Sequence, residues 1–287
     1  MRKVFVVCTV LACISSVFAE NQNIKTDKGD NQYVPESSYT ITKSKTDPDF
    51  SIIGVPLSIH INGKKFLEVG AGADLEITPF ERIGFHMHGI KTYYSGSFDM
   101  DSTDSKSDSY LLEGGININF FIQKKSHELP VFLGSRYTGY NTITKYYENC
   151  DLPSKTTYSA RIGYLRNSSK YTIEDDIYMN FKTHKNITID SFYAGIEWNL
   201  FYEAEIEVND ENIERDFGKK FKASGKYKLY ADVIYPVYKT GNSSTKYPAG
   251  FRIGYCTWGT PWSMKLEGGI NPSFGGYFEI EMGLCYF

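Results

Sequence analysis

Residues 278–287 read FEIEMGLCYF and alternate between large apolar side chains and small or charged ones up to the last residue. The apolar positions of this alternation are Phe278, Ile280, Met282, Leu284 and Tyr286. A period of two residues is typical of a β-strand with one apolar face and one polar face. Because the ends of a domain fray unless they are held, we expect this strand to be paired within a sheet.

The same alternation recurs along most of the chain. The strands that it predicts are 51–62, 67–77, 82–95, 107–122, 129–140, 157–166, 171–181, 188–208, 227–237, 251–256, 262–267 and 278–286. No segment of helical length has its apolar residues spaced with a period of 3.6. We therefore predict an all-β chain of about twelve strands, with ten as the alternative count.

The length of the strands and their polar faces favour a barrel over a sandwich. Strands in a sandwich usually have 5 or 6 residues and bury aliphatic side chains, whereas a strand that crosses a bilayer needs about 9 to 11 residues. Many of the predicted strands are this long, and charged residues lie at their centres on the polar face. In lipid every backbone group must be paired, so such strands have to close on themselves. The predicted fold is a closed antiparallel transmembrane β-barrel over residues 51–287.

The beginning of the sequence predicts export. Arg2 and Lys3 precede an apolar run from Val4 to Val17, and this pattern is typical of a cleaved signal peptide comprising residues 1–19. The run is shorter than the roughly 20 residues of a spanning helix. Residues 20–50 are polar and lack apolar periodicity, which predicts a flexible periplasmic leader.

The charge of the chain argues against nucleic acid as a partner. The 31 basic residues include the two that leave with the signal peptide, so 29 remain against 34 acidic residues, a formal charge of −5. A protein that binds nucleic acid usually carries a basic patch and a positive balance.

The closing strand and its terminal Phe287 resemble the last strand of bacterial outer-membrane β-barrels, in which a terminal aromatic residue is an assembly signal. The aromatic content of 16% suits the aromatic girdles of such barrels. The resemblance covers residues 51–287 and concerns architecture alone. It implies location in the cell outer membrane, contact with outer-membrane lipid, and recognition of Phe287 by the barrel-assembly machinery.

The polar faces of the predicted strands would line the barrel interior. The candidate lumen-lining residues are Glu68, Asp74, Glu76, Arg82, His86, His88, Glu113, Arg136, Arg161, Glu197, Lys228, Arg252, Lys265, Glu267, Glu279 and Glu281. They are compatible with two functions. In one, the barrel is a passive pore for small polar solutes. In the other, cross-strand charge pairs fill the lumen and the protein is a structural or surface-exposed barrel.

Three further hypotheses concern chemistry and class. His86 and His88 share a face, and with Glu76 or Glu113 they would supply three metal ligands. A polar lumen explains both histidines equally well, so we predict no metal and no other cofactor.

We find no motif of the outer-membrane barrel enzymes and expect no catalytic residues and no enzyme activity. The alternative to a membrane barrel is a secreted, soluble all-β sandwich with an adhesin-like binding surface.

Loop lengths and cysteines complete the expectations. In an even-stranded barrel the turns after even strands are short and the loops after odd strands are long. The predicted short turns are 78–81, 123–128, 167–170 and 259–261, and the predicted long loops are 96–106, 141–155 and 239–246. The connection 209–220 breaks the rule, which indicates an extended turn or a different strand count.

Of the three cysteines beyond the signal peptide, we place Cys150 in a loop and interpret Cys256 and Cys285 as buried thiols rather than a bridge.

Overall fold

The computed structural model describes residues 31–33, 39–46, 50–62, 66–97, 105–139, 142–174, 182–240, 247–259, 262–272 and 275–286. Its elements are the strands β1 (Asn31–Tyr33), β2 (Tyr39–Lys45), β3 (Phe50–Asn62), β4 (Phe66–Phe80), β5 (Ile83–Ser97), β6 (Ser105–Gly139), β7 (Thr142–Glu174), β8 (Lys182–Val208), β9 (Lys220–Lys239), β10 (Gly250–Gly259), β11 (Trp262–Asn271) and β12 (Gly275–Tyr286), with the helix α1 (Glu211–Phe217) between β8 and β9. No helix among these residues has the length and apolarity needed to cross a bilayer. The predicted signal peptide, residues 1–19, and the predicted assembly signal Phe287 lie outside the described residues.

Ten strands close into an antiparallel barrel. Strands β3 to β12 pair in chain order, and the ring closes where β12 pairs with β3. In this closing pair Ile280 lies opposite Ile59 and Glu281 lies opposite Ser58. The strand that ends the chain is therefore paired on both sides, with β11 and with β3. This confirms the closed antiparallel all-β barrel and its ten-strand alternative, and it excludes the sandwich.

The prediction of about twelve strands is wrong because two strands are much longer than their apolar patterns. Strand β6 has 35 residues and β7 has 33. The predicted turn 123–128 lies inside β6, while the predicted turn 167–170 and most of the predicted loop 141–155 lie inside β7. These segments are rich in Lys, Ser and Asn. The strands continue through these segments because strand pairing uses backbone hydrogen bonds. Those bonds do not require an apolar face.

The chain forms two compact units, and β6, β7 and β8 contribute residues to both. The smaller unit contains Pro130–Cys150 and Val208–Phe221, and several of its apolar side chains are buried. Its buried apolar side chains are Val131, Leu133, Cys150, Val208, Ile213 and Phe221. The predicted long connection 209–220 lies in this unit and contains a helix between β8 and β9, while the strand count also differs from twelve.

Helix α1 forms inside that connection because its first turn is capped. The Asp210 carboxylate accepts hydrogen bonds from the backbone N–H groups of Asn212 (2.8 Å) and Ile213 (3.1 Å). At its other end the Phe217 ring contacts the Tyr146 ring, with 5.0 Å between centroids. Gly218 then ends the helix with a φ of 93°, a conformation that favours glycine.

Two strands lie within the segment 20–50, where the sequence predicts a flexible leader. Strand β1 pairs in parallel with β7, with Asn31 opposite Lys145. Strand β2 lies beside β8 outside the ring, and there the Thr42 hydroxyl donates a hydrogen bond to the backbone oxygen of Glu205 at 3.1 Å. The described parts of the segment are thus strands, and the flexible leader over residues 20–50 stays a prediction. Periodicity misses such strands because edge pairing through the backbone needs no apolar face.

The larger unit contains the barrel and is apolar on its outer face. Along β8, for example, Ile196 is 64% exposed while the adjacent Glu197 is 3% exposed, and along β9 Val233 is 60% exposed while Asp232 is 3% exposed. Because successive side chains of a strand point to opposite faces, the charged residues lie inside and the apolar ones outside. The arrangement is the reverse of that in a soluble protein.

The three cysteines of the described residues form no disulfide bond with one another, and all three are buried. Cys256 and Cys285 are unbridged thiols within one apolar cluster that also contains Ile53, Val55 and Trp258. This agrees with the sequence-based interpretation. Cys150, however, lies in β7 and is completely buried, whereas the sequence places it in a loop.

Candidate functional site: the charged interior of the barrel

Four charged side chains from four strands meet inside the barrel and form what we call the central cluster: Glu113, Arg161, Asp232 and Arg252. Each is at most 8% exposed. The Arg252 guanidinium donates two parallel hydrogen bonds of 2.7 Å to the Glu113 carboxylate and a third, of 2.8 Å, to Asp232. Arg161 also contacts both acids, at 3.3 Å from Glu113 and 3.6 Å from Asp232. Bidentate, charge-assisted bonds of this kind are strong and fix the geometry of both partners.

Two tyrosine rings hold the guanidinium groups in place. Arg161 lies 4.2 Å from the centroid of the Tyr230 ring and 5.5 Å from that of Tyr193. Arg252 lies 4.7 Å from the Tyr193 centroid and 5.5 Å from the Tyr230 centroid. Each cation therefore faces aromatic electron density as well as carboxylates, which compensates for its removal from water.

His86 and Glu197 extend the central cluster. His86 Nε2 lies 3.3 Å from the Glu113 carboxylate and forms a hydrogen bond with the Tyr193 hydroxyl. Arg161 Nη1 lies 3.5 Å from Glu197, which also accepts a hydrogen bond of 3.1 Å from the Asn117 side-chain amide. Glu113 is thus the hub of the cluster, because it contacts two arginines and one histidine.

A second group of charges lies on β5, β11 and β12. Glu281 binds His88 at 3.2 Å and Lys265 at 3.0 Å. Lys265 lies 3.8 Å from Glu267, and Glu267 lies 3.6 Å from Arg252. Through Glu267 this second group is continuous with the central cluster.

A third group surrounds Glu76. Lys226 and Lys228 both donate hydrogen bonds to its carboxylate. The ammonium groups lie 4.7 Å and 5.1 Å from the Trp258 ring centroid. Lys228 also lies 3.7 Å from Glu197, which connects this group to the central cluster. Opposite charges therefore meet at every junction of the network.

Glycines make room for the large side chains that cross the interior. A β-carbon at Gly115 or Gly163 would collide with the Tyr193 hydroxyl, and one at Gly195 would collide with the Asp232 carboxylate. Small residues on the opposing strands thus allow the tyrosines and the ion pairs to fill the lumen. Two small cavities lie in this part of the described structure. One of about 30 Å³ adjoins His60, Glu68 and Glu279, and one of about 10 Å³ adjoins Asp74 and Cys256. The larger has room for about two water molecules and the smaller for about one.

The structure brings most of the predicted lumen residues together. The predicted residues that lie inside the barrel are Glu68, Asp74, Glu76, His86, His88, Glu113, Arg161, Glu197, Lys228, Arg252, Lys265, Glu267, Glu279 and Glu281. Two predictions are wrong. Arg82 is exposed at the turn between β4 and β5, and Arg136 is exposed in the smaller unit, where it lies 3.4 Å from Asp216. A pattern with a period of two shows which face of a strand a residue lies on. It does not show whether that part of the strand belongs to the barrel.

Sequence analysis omitted several residues of the network. They are Tyr193, Lys226, Tyr230, Asp232, Trp258 and Tyr277. The alternation assigns Lys226, Tyr230 and Asp232 to the face of Lys228, and the signal that identifies them is therefore present in the sequence. Tyr193 also lies on the face that the alternation assigns to Glu197, but a period of two does not show which side chains of a face contact each other across the lumen.

The described His, Cys, Asp and Glu side chains form no group of three that is arranged to hold a metal ion. His88 pairs with Glu281, and Glu76 pairs with two lysines instead of a histidine. His86 and Glu113 do meet, but the remaining neighbours of Glu113 are arginines. The residues that the sequence suggested as three metal ligands therefore form salt bridges with other residues.

Fold and site together define a closed ten-stranded β-barrel with an ion-paired interior. No family model matches the chain, and no curated protein matches it. Solved structures with some similarity include the CymD monoaromatic hydrocarbon channel, at 9% identity over 83% of this chain and 87% of that chain with a TM-score of 0.21. Another is a mutant of the Rh. blastica porin, at 6% identity over 83% and 97% of the two chains with a TM-score of 0.17. At such low TM-scores the assignment of the fold rests on the strand pairing of this chain.

Proposed function

We propose that the protein is an outer-membrane β-barrel whose lumen is closed by salt bridges, and that it acts as a structural and surface-exposed barrel. The observation that carries this proposal is the reversal of polarity in the larger unit, with buried charges inside and exposed apolar side chains outside. The outer-membrane lipid and the barrel-assembly machinery are the partners that we propose. We propose neither a catalytic role nor a cofactor.

The outer face supports the membrane location. Large apolar side chains are exposed on all ten barrel strands, among them Phe192, Ile196, Met87 and Trp262. Outward-facing rings also contact each other across strands, with 5.9 Å between Tyr164 and Phe192 and 5.7 Å between Phe121 and Tyr158. A water-soluble monomer rarely exposes so much contiguous apolar surface, whereas a membrane barrel requires it.

The interior supports a closed barrel. The central cluster joins β6, β7, β9 and β10 across the lumen, and the side chains that form it are almost completely buried. A solute that crossed the barrel would have to separate several buried ion pairs. Removing one partner of a buried pair costs about 3 to 5 kcal/mol because the other charge stays buried, so separation of several such pairs at once is expected to be infrequent.

The proposal predicts a heat-modifiable membrane protein of low conductance. After expression of the full chain and fractionation of the cell envelope, we expect extraction to require detergent and the electrophoretic mobility to shift on boiling. In planar bilayers the purified barrel should show little or no steady ion current. The double variant Arg161→Ala and Arg252→Ala, which removes both guanidinium groups that cross the lumen, should conduct at least several-fold better.

The matched control is Arg166→Ala, because this arginine is 44% exposed at its side chain. It should leave the conductance unchanged, and the heat-dependent mobility shift verifies that each variant is folded. A protein that fractionates without detergent and shows no heat shift would contradict the membrane barrel. A wild-type barrel with a large steady conductance would contradict the closed lumen and favour the passive pore for small polar solutes.

A further inference from the structure

His88 lies inside the barrel next to carboxylates from three strands. It is 6% exposed, and the strand register places it opposite Asp74 on β4 and opposite Glu113 on β6. Glu281 reaches it from β12, with 3.2 Å between the carboxylate and His88 Nε2. The other ring nitrogen, Nδ1, is buried and has no hydrogen-bond partner among the described residues. The imidazole therefore has a carboxylate on each of its two paired strands and a third from β12.

Two basic side chains lie near these carboxylates, but each is shared with other acids. Lys265 lies 3.0 Å from Glu281 and also 3.8 Å from Glu267. Arg252 donates two hydrogen bonds of 2.7 Å to Glu113, and its third goes to another carboxylate. The negative charges around His88 are thus only partly compensated by lysine and arginine.

The second histidine of β5, on the same face, has different neighbours. His86 Nε2 lies 3.3 Å from Glu113 but also 3.5 Å from the Arg161 guanidinium, and it forms a hydrogen bond with the Tyr193 hydroxyl. On β4 it lies opposite Glu76, whose carboxylate binds two lysines. The carboxylates next to His86 therefore already have cationic partners, which distinguishes its surroundings from those of His88.

The charges of the whole interior show the same deficit of cations. Among the described residues, nine carboxylates lie on the inner side of the barrel strands: Glu68, Asp74, Glu76, Glu113, Glu197, Asp232, Glu267, Glu279 and Glu281. Six lysines and arginines lie there: Lys155, Arg161, Lys226, Lys228, Arg252 and Lys265. Buried charges are stable only where opposite charges compensate them. A proton on an interior histidine reduces the negative excess.

We propose that His88 binds a proton in the closed barrel and that loss of this proton at alkaline pH opens the lumen. The inference rests on the proposed barrel closed by salt bridges. Histidine is the side chain whose ordinary titration lies closest to neutral pH. Because the carboxylates stabilise the charged imidazolium, its contribution to closure is present at acidic pH and is lost as the pH rises and the proton leaves. Asp74 and Glu281 then repel each other, and the cavity of about 10 Å³ that adjoins both is where water enters first.

The test measures the ion current of the full chain in planar bilayers between about pH 6 and about pH 10. The wild type should carry little current at the acidic end and conduct at least several-fold better at the alkaline end. His88→Gln is neutral throughout and should conduct at the acidic end as well. His88→Arg is charged throughout and should stay closed at both ends.

The matched control is His127→Gln, because the His127 ring is hydrogen-bonded to the Ser154 hydroxyl. This variant should keep the pH response of the wild type, and the mobility shift on boiling verifies that each variant is folded. In histidine-labelled protein, the ring signals of His88 in NMR spectra should titrate with the same midpoint as the current.

Three results would overturn the inference. They are a different midpoint for the ring and the current, a pH response of His88→Gln like that of the wild type, and an alkaline rise in the current of His88→Arg. Each would assign the response to other groups, such as Lys226 and Lys228.

Failure of the proposed function has a different signature. A large wild-type current at every pH would contradict the closed lumen, and a protein without a mobility shift on boiling would contradict the membrane barrel. A heat-modifiable barrel that stays closed from about pH 6 to about pH 10 would overturn the role of His88 alone.

Discussion

Glu113→Gln is expected to lower the free energy of unfolding by about 3 kcal/mol or more. The Glu113 carboxylate accepts both 2.7 Å hydrogen bonds from Arg252 and also lies 3.3 Å from Arg161 and from His86. A neutral amide keeps the size of the side chain but removes the negative charge between two buried guanidinium groups. The loss is large because the cations then remain buried with fewer compensating charges. Urea unfolding in detergent, followed by tryptophan fluorescence, measures the change.

The matched control is Glu81→Gln, which breaks a pair of similar length at the surface. Glu81 and Lys124 are 2.9 Å apart, and both side chains are about half exposed. Exposed pairs contribute at most about 1 kcal/mol, so this variant should unfold close to the wild type. Equal effects of the two substitutions would contradict the role of Glu113 as the hub of the central cluster.

A double variant separates the pair energy from the cost of an isolated charge. Glu113→Gln together with Arg252→Met should destabilise the barrel by less than the sum of the two single substitutions, because neither partner is then left without the other. Additive effects would mean that the two side chains do not interact in the folded barrel.

Gly195→Ala is the second substitution with a large expected effect, and we expect it to lower the yield of folded barrel several-fold. A methyl group at this position would collide with the backbone oxygen of Ala231 and with the Asp232 carboxylate. The backbone oxygen belongs to a paired strand and the carboxylate is held by Arg252, so neither can move away at small cost. Overpacking of this kind costs about 1 to 3 kcal/mol. The fraction of protein with the unboiled mobility measures the yield after refolding.

Gly54→Ala provides the control for the same chemical change. Gly54 lies in a barrel strand as well, but a β-carbon there would meet nothing within 4 Å. We expect the stability to change by no more than about 0.5 kcal/mol. If Gly195→Ala folded as well as Gly54→Ala, this would contradict the inference that β8 and β9 lie too close together at Gly195 to admit a β-carbon.

The sequence predicted the faces of the strands better than their ends. Ile196 and Glu197, or Val233 and Asp232, lie on the sides that the alternation assigned, because the period of two is a local property of an extended backbone. The ends of β6 and β7 were missed because their polar extensions, such as 123–128, bury no apolar face and so leave no periodic signal. Arg82 and Arg136 were wrongly assigned to the lumen for a related reason, because the alternation does not show where the barrel part of a strand ends.

The sequence by itself determined that the chain is all-β, that its strands are long enough to cross a bilayer and that one face of each is charged. These properties depend on neighbouring residues, which the alternation records. Only the tertiary structure decided that the barrel has ten strands and that Glu113 meets Arg161 and Arg252. Those contacts join residues 48 and 139 positions apart. They depend on the register of every strand between them, which is fixed when the ring closes between β12 and β3.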